Sequence, residues 1–383
     1  MPEITNLPPL SLYIHIPWCI RKCPYCDFNS HAAKGNLPEQ LYIDALLEDF
    51  EQHLPIIWGR RLISIFIGGG TPSLFSPEAI NNLLSGIRAR IQCIGNLEIT
   101  MEANPGTFEQ NKFNEFRNIG INRLSIGIQS FDNEKLDALG RIHNSSEAIR
   151  AVETAQFSGF ENINLDLMFG LPNQSIQQGI DDLKTAIALK PSHISWYQLT
   201  IEPNTFFYSQ PPVVADDDTI CDLQQHGQTL LAEHDFNQYE ISAYAKGKKQ
   251  CQHNLNYWQF GDYLGIGAGA HGKITRSDEQ SITRHWKLKQ PQAYMDAKGS
   301  KKTSGSQLLQ TQDRIFEFML NALRLKQGFD LQTFESHTGL SMDEISSSCQ
   351  QAIDKGLLKQ SHQHIEATDL GYRFLNDLIN QFD

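Results

Sequence analysis

The chain has 383 residues, with 44 Asp and Glu against 32 Lys and Arg and a formal net charge of −12. That length accommodates one large α/β domain and a smaller one, and the 40% hydrophobic content supplies a core. The acidic balance argues against a nucleic-acid partner held by phosphate contacts. With no apolar run near the length of a membrane span and no signal-peptide character in Met1-Pro-Glu-Ile-Thr-Asn6, it points to a cytoplasmic protein.

In chain order, a strand-like Ser11–Pro17 leads into Cys19-Ile-Arg-Lys-Cys23-Pro-Tyr-Cys26. The spacing C-x3-C-x2-C differs from paired zinc C-x2-C motifs and offers three thiolates in one loop. A 4Fe–4S cube takes four protein ligands, so three predict a distant fourth ligand or a non-protein molecule on the last iron. Pro17 and Pro24 stiffen the loop, and Arg21 and Lys22 offset its negative charge. Buried free cysteines or a zinc loop are the plainer alternatives. Cys93, Cys221, Cys251 and Cys349 are scattered and read as structural.

Beyond the loop, apolar runs of strand length alternate with helical patterns, which predicts parallel strands joined by helices. The strands are Ser11–Pro17, Leu62–Gly68, Leu97–Ala103, Arg123–Gln129, Ile163–Phe169 and Ile194–Ile201. Between them fall amphipathic stretches at 38–52, 77–91, 111–118, 145–158 and 176–189. A doubly wound open sheet and a βα barrel fit this alternation equally. Gly69, Glu102, Gln129 and Asp166 fall at the carboxyl ends of strands, where α/β folds gather their sites.

The polar run Ala297–Ser306 reads as a linker, dividing a domain at 1–300 from one at 301–383. The second part shows three helical patterns and a hairpin at 357–369, an order that resembles a winged-helix module. From Ser304 onward it carries eleven Asp or Glu against six Lys or Arg, which disfavours a DNA groove and leaves a lid or docking role.

Gly68-Gly69-Gly70-Thr71 ends the second strand and leaves backbone open to close approach by a ligand. Taken alone, a glycine run makes plain turns equally well. The cysteine loop and this run together resemble the radical S-adenosylmethionine (SAM) superfamily, and within it the coproporphyrinogen dehydrogenase-like group, over Leu12 to Gly272. The resemblance implies a partial (β/α)6 barrel with a small C-terminal helical domain. It implies a 4Fe–4S cluster on Cys19, Cys23 and Cys26, whose open iron is chelated by SAM. It further implies SAM contacts from Tyr13, Tyr25, Gly69, Gly70, Thr71, Glu102, Gln129, Arg141 and Asp166. Arg141 and Asp166 are the residues it associates with a second SAM molecule.

Two departures separate this chain from the dehydrogenases of that group. Phe28 stands where they carry a further cysteine, and the first strand arrives within about a dozen residues of Met1, without their N-terminal extension. Both point to the heme chaperone branch, as does His253-Asn-Leu-Asn-Tyr257-Trp258, in which an imidazole can ligate iron and aromatics can cover a porphyrin. His271, in a glycine-rich turn, is a weaker candidate, and Tyr239 and Glu240 are assigned to the barrel's closing segment. The expected function is heme binding and transfer to apo-hemoproteins, with an electron donor if SAM is cleaved. Peripheral membrane contact is compatible with it. The alternatives are coproporphyrinogen III dehydrogenase or another radical SAM transferase.

Overall fold

The computed structural model describes residues 4, 6–107 and 110–383. Most of the opening hexapeptide, on which the absence of a leader is read, lies outside them. Six parallel strands follow one another across the sheet: β1 (Leu10–Ile16), β2 (Arg61–Gly69), β3 (Gln92–Ala103), β4 (Arg123–Gln129), β5 (Asn162–Phe169) and β6 (His193–Gln198). They fall on the six expected runs, although β3 begins at Gln92 rather than Leu97 and β6 ends at Gln198 rather than Ile201. Helices α1 (Glu39–His53), α2 (Pro77–Arg88), α3 (Gln110–Asn118), α4 (Ser145–Phe157) and α5 (Ile176–Ala188) connect them. Local chemistry sets the helix starts. Ser76 caps α2 through the Ala79 amide with Pro77 at the first position, and capping boxes open α4 (Asn144 with Glu147) and α5 (Ser175 with Gln178). Leu12, Ile14, Ile65, Ile67 and Leu165 on the strands are fully buried, as a parallel sheet with helices packed on it requires.

The sheet is wider than periodicity suggests. Beyond β6 and the helix α6 (Asp217–Glu233) lie β7 (Asn237–Glu240) and β8 (Ala243–Ala245), antiparallel additions. A helix α7 (Gln252–Trp258) precedes β9 (Asp262–Ile266), which pairs in parallel with the outer side of β1. Then β10 (His271–Arg276), β11 (Ser281–Lys287) and β12 (Thr303–Leu308) continue antiparallel, giving the order β12-β11-β10-β9-β1-β2-β3-β4-β5-β6-β8-β7. β12 and β7 end the strand order and do not pair with each other, so the barrel is partial; β7 is bridged instead by Leu325 opposite Glu240.

The supposed linker is therefore structured. Residues Gly299–Lys302 form a 3-10 turn, and β12 occupies the rest of the run. Lys302 is buried and donates to the Tyr294 and Ala297 carbonyls. Its small residues serve packing rather than freedom: a Cβ on Gly305 would lie 2.4 Å from the Trp286 ring. The sheet thus extends past the expected break after residue 300. A second core begins at Leu309 and also takes in Phe260 and Ile282 from the sheet side. It holds α8 (Thr311–Ala322), α9 (Leu331–Thr338), α10 (Asp343–Asp354) and the hairpin β13 (Leu358–Ser361) and β14 (His364–Ala367), the three helices and wing expected.

Asp49 on α1 ties the sheet's extension to the barrel. It accepts from Lys287 Nζ at 2.5 Å and Tyr294 Oη at 2.7 Å, both fully buried. Burial pushes its carboxyl upward, but the bonds to His53 and Lys287 outweigh this and hold it below the usual range. Asp49→Ala takes the carboxylate partner from buried Lys287, leaving it the neutral contacts with His53 and Thr303, and should cost about 3–5 kcal/mol, read as a lowered denaturation midpoint at neutral pH. Because the folded carboxyl is depressed, the difference persists above pH 3.8 and shrinks as pH falls below it.

Candidate cluster and ligand cavities

The cysteine loop is built on its own beginning. His31 donates its amide to Pro17 and Ala33 to Cys19, while Cys26 turns back on the Cys23 carbonyl at 3.2 Å. The glycine run is stitched to the same loop: Gly70 donates to Ile16 and Thr71 to Trp18, each at 2.7 Å. Any larger residue at position 70 is excluded, since a Cβ would lie 2.5 Å from the Trp18 carbonyl oxygen. Gly69 adopts φ +113°, a backbone reserved for glycine.

All three cluster-loop cysteines are free and half-buried, and they line one cavity of 270 Å³. Burial pushes the Cys19 and Cys26 thiols up. Among the described residues no three His, Cys, Asp or Glu side chains converge on a single-ion site. The three thiols open onto one shared space. Tyr25, Gly69, Gly70, Glu102, Gln129, Arg141 and Asp166 line the same cavity. Thr71 stands just outside it, accepting from Asn104 Nδ2 at 2.8 Å. Tyr13 does not share it and faces a larger cavity beyond.

Arg141 donates to Asn104 Oδ1 at 2.8 Å, the Gly127 carbonyl at 2.7 Å and Cys23 Sγ at 3.6 Å, while its Nε is buried without a partner. An orphaned guanidinium nitrogen beside three thiols fits an anionic group not supplied by the chain. Asp166 accepts from Ser125 at 2.9 Å and Asn164 at 2.8 Å. Glu102 has the Gly69 amide at 3.0 Å. Burial first, and then the nearby Asp166 carboxylate, raise Glu102 to about 7 against the opposing Gly69 bond. A ligand ammonium or ribose diol would compensate both carboxyls. Gln129 sits at φ 70° and accepts from Tyr197 Oη at 2.8 Å; such strain is concentrated at ligand sites.

Sequence reasoning missed Asn104, Ser125 and Tyr197, which also line this cavity. Ser125 was within reach of it, because it shares a strand face with Gln129 at even spacing. Asn104 follows Glu102 at the same strand end, and Tyr197 lies close to the end of β6.

The larger cavity, 740 Å³, is lined by Tyr13, His15, His31, His253, Tyr257 and His271 among others. Phe28 and Ser30 line both cavities and form their common wall. His253 and Tyr257 reach it together because they are four apart on α7. Trp258 is rotated away, its ring beneath the Arg324 guanidinium at 4.5 Å, toward the C-terminal unit. Of the three aromatic-motif residues, the structure thus brings two to this cavity and not the third.

Residues 13–186 match the radical SAM superfamily, and residues 309–374 match the HemN C-terminal domain. The heme chaperone HemW of Escherichia coli (strain K12) is 49% identical over 99% of this chain and 99% of its own. The chain belongs to the HemW family of radical SAM proteins. HemW of Haemophilus influenzae is 50% identical over 98% of both chains. The solved structure of HemN from Escherichia coli, described as a radical SAM coproporphyrinogen III oxidase, shares the fold, with a TM-score of 0.82 over 99% of this chain and 92% of that one at 22% identity. Membership in the HemW family carries with it a 4Fe–4S cluster and SAM, and the thiol-lined cavity fits both. Among the described residues no helix is long and apolar enough to cross a membrane.

The Glu102 environment generates a pH test on cluster-free protein. Its folded value, about 7, exceeds the ordinary 4.5, so ionisation costs stability as pH rises between the two. Glu102→Gln escapes that cost. Its stability relative to wild type should therefore climb between pH 4.5 and 7 and level off above, measured by denaturant titration at each pH. A difference independent of pH would contradict the enclosed placement.

Proposed function

We propose that this chain takes up heme in the larger cavity and passes it to apo-hemoproteins, with its cluster and SAM held in the adjoining one. The observation that carries this reading is the pairing itself: a thiol-lined cavity and a histidine-rich cavity of ligand size share Phe28 as a wall. The HemW names of the full-length relatives support it.

In this reading Cys19, Cys23 and Cys26 would hold the cluster through their thiolates, with SAM bound beside it in the same cavity. The cluster supplies one-electron chemistry when bound. Gly69 and Gly70 let the backbone approach the methionyl end, Thr71 steadies that run, and Glu102 meets the ammonium or ribose. Gln129, Tyr25, Arg141 and Asp166 enclose the rest. Since Arg141 and Asp166 face the same cavity as the thiols, we assign them to one SAM molecule rather than to a second. His253 offers an imidazole and Tyr257 a ring to heme, and Tyr13 joins that side. The cytoplasm, soluble or membrane-bound hemoprotein acceptors, and a reductant if SAM is cleaved complete the proposal.

Oxidative decarboxylation of coproporphyrinogen III is the competing reading, and the inert Phe28 ring between the cavities disfavours it. Purified protein should bind heme stoichiometrically and leave coproporphyrinogen unchanged in an anaerobic assay with SAM and reductant. Protoporphyrinogen formation without stoichiometric heme binding would reverse the choice. Cys23→Ser should abolish cluster reconstitution, measured as bound iron and sulfide. His253→Ala should lower heme affinity while the cluster spectrum stays intact.

A further inference from the structure

Four histidines border the larger cavity, and they differ in what their nitrogens are free to do. His15 is spent: Nδ1 meets Tyr13 Oη at 2.9 Å and Nε2 meets the Asn29 carbonyl at 2.9 Å. The Nε2 atom of His31 is buried without a partner and closed off from the open space. His271 is exposed, and among the described residues no side-chain hydrogen bond fixes its orientation. Of the four, His253 combines burial and a defined direction with a second ring nitrogen that no hydrogen bond among the described residues occupies. It is packed against Phe66 and Tyr13, with ring centroids 5.1 and 6.3 Å apart.

The Nδ1 side of His253 faces the inside of the barrel, where it meets Ser64 Oγ on β2 at 3.1 Å. Ser64 in turn donates its hydroxyl to Ser11 Oγ on β1 at 2.8 Å. Ser11 also accepts from Asn256 Nδ2 at 2.9 Å, and the orientation of that amide is fixed because the same nitrogen donates to the Asp262 carbonyl at 2.9 Å. The chain therefore has a sense. Asn256 and Ser64 both donate to Ser11, so the Ser64 proton is committed there and its oxygen is left to accept. The hydrogen between Ser64 and His253 must then sit on Nδ1. The other ring nitrogen, Nε2, has no partner among the described residues and keeps its lone pair.

The backbone of the same helix is anchored from below. Glu98 on β3 accepts from the Gln252 amide at 2.9 Å and the His253 amide at 3.3 Å, so the helix start cannot swing without breaking those bonds. Two residues of the motif contribute, since His253 and Asn256 are three apart on α7 and reach the two serines together.

We infer that Ser64 is a positioning residue for heme: with Ser11 and Asn256 it fixes the Nδ1–H tautomer of His253 and presents Nε2 as the iron ligand. This rests on the proposal that His253 ligates heme. The same arrangement gives Asn256 its place in the middle of the motif, because an amide can donate to the serine and to the Asp262 carbonyl from one nitrogen. A hydrogen bond from Nδ1–H also strengthens donation from Nε2 to the metal, as outer-shell partners of ligating histidines do.

The test uses full-length protein carrying its cluster, loaded with hemin. Ser64→Ala should lower heme affinity roughly 10–100-fold. It should also lower the ferrous iron–histidine stretching frequency and raise the heme midpoint potential, with the cluster absorption unchanged. Ser64→Thr, which keeps the hydroxyl, should restore the frequency and potential. Ser11→Ala frees the Ser64 proton to donate toward Nδ1 and should weaken binding in the same direction, although Ser64 itself is intact. An iron–histidine frequency and potential unaltered in Ser64→Ala, in a protein where His253→Ala changes both, would overturn the inference and leave the ligand assignment standing. If His253→Ala itself leaves the heme spectrum and affinity unchanged, the ligand assignment fails and the inference falls with it.

Discussion

The arrangement of this protein depends on two backbone hydrogen bonds, from Gly70 to Ile16 and from Thr71 to Trp18. They join the end of one parallel strand to the start of the cysteine loop that leaves its neighbour. Because a side chain at position 70 would collide with the Trp18 carbonyl, the two segments meet backbone to backbone. The three thiols are thereby fixed relative to the carboxyl ends of β2 to β5, where most other polar groups of the cavity stand. A loop anchored only by its own turn would carry its cysteines wherever thermal motion took it. Here the sheet sets their position.

That anchorage makes the cavity's electrostatics consequential. Glu102 and Asp166 stand on neighbouring parts of the barrel wall, burial raises both carboxyls, and the Asp166 charge adds to the cost of ionising Glu102. Two carboxyls in one enclosed space are a poor arrangement for stability and a good one for receiving a positively charged, hydroxyl-bearing molecule. Arg141 lines the same cavity, its guanidinium partly satisfied by Asn104 and Gly127 and partly free. Its position near Cys23 Sγ balances the negative charge that thiolates and sulfide would bring. The cavity is thus divided, with a guanidinium beside the thiols and two carboxyls elsewhere on its wall.

Much of this is legible in the sequence because it is carried by local signals. The six strands are near-continuous apolar runs, and the helix starts are written in Ser76, Asn144 and Ser175. The cysteine spacing and the glycine run gain their meaning from each other, through the family resemblance that the two carry together. What escapes has a common cause. The strands β9 to β12 extend a sheet whose first strand lies some 250 residues earlier, β9 pairing with β1 at Leu10 and Asp262. The glycine and serine content of β12 reads as freedom, when Gly305 in fact accommodates the ring of Trp286 on the next strand. Tyr13 bonds His15 and packs beside His253 on the side of the larger cavity, a placement that motif order alone does not give. Adjacency groups Trp258 with Tyr257, but adjacent residues on a helix point about 100° apart. Motif membership gives proximity along the chain; the period of the element decides which members share a cavity.

The wall between the two cavities couples them. Cys26, Phe28 and Ser30 belong to one short segment, with Cys26 Sγ 3.7 Å from Ser30 Oγ and the Phe28 carbonyl held by Lys22 Nζ at 3.1 Å. Phe28 and Ser30 face both spaces. The third thiol cannot move without moving them, since only Asp27 separates Cys26 from Phe28. A cluster seated on Cys26 would therefore also shape one side of the larger cavity. In a relative with a cysteine at position 28 the same wall would carry a reactive thiol between cluster and porphyrin. Here it carries an apolar ring, which can cover a porphyrin face but has no group to exchange protons or electrons with it. Under the proposed reading, a radical SAM scaffold with that ring in the wall would hold heme beside the cluster without altering it.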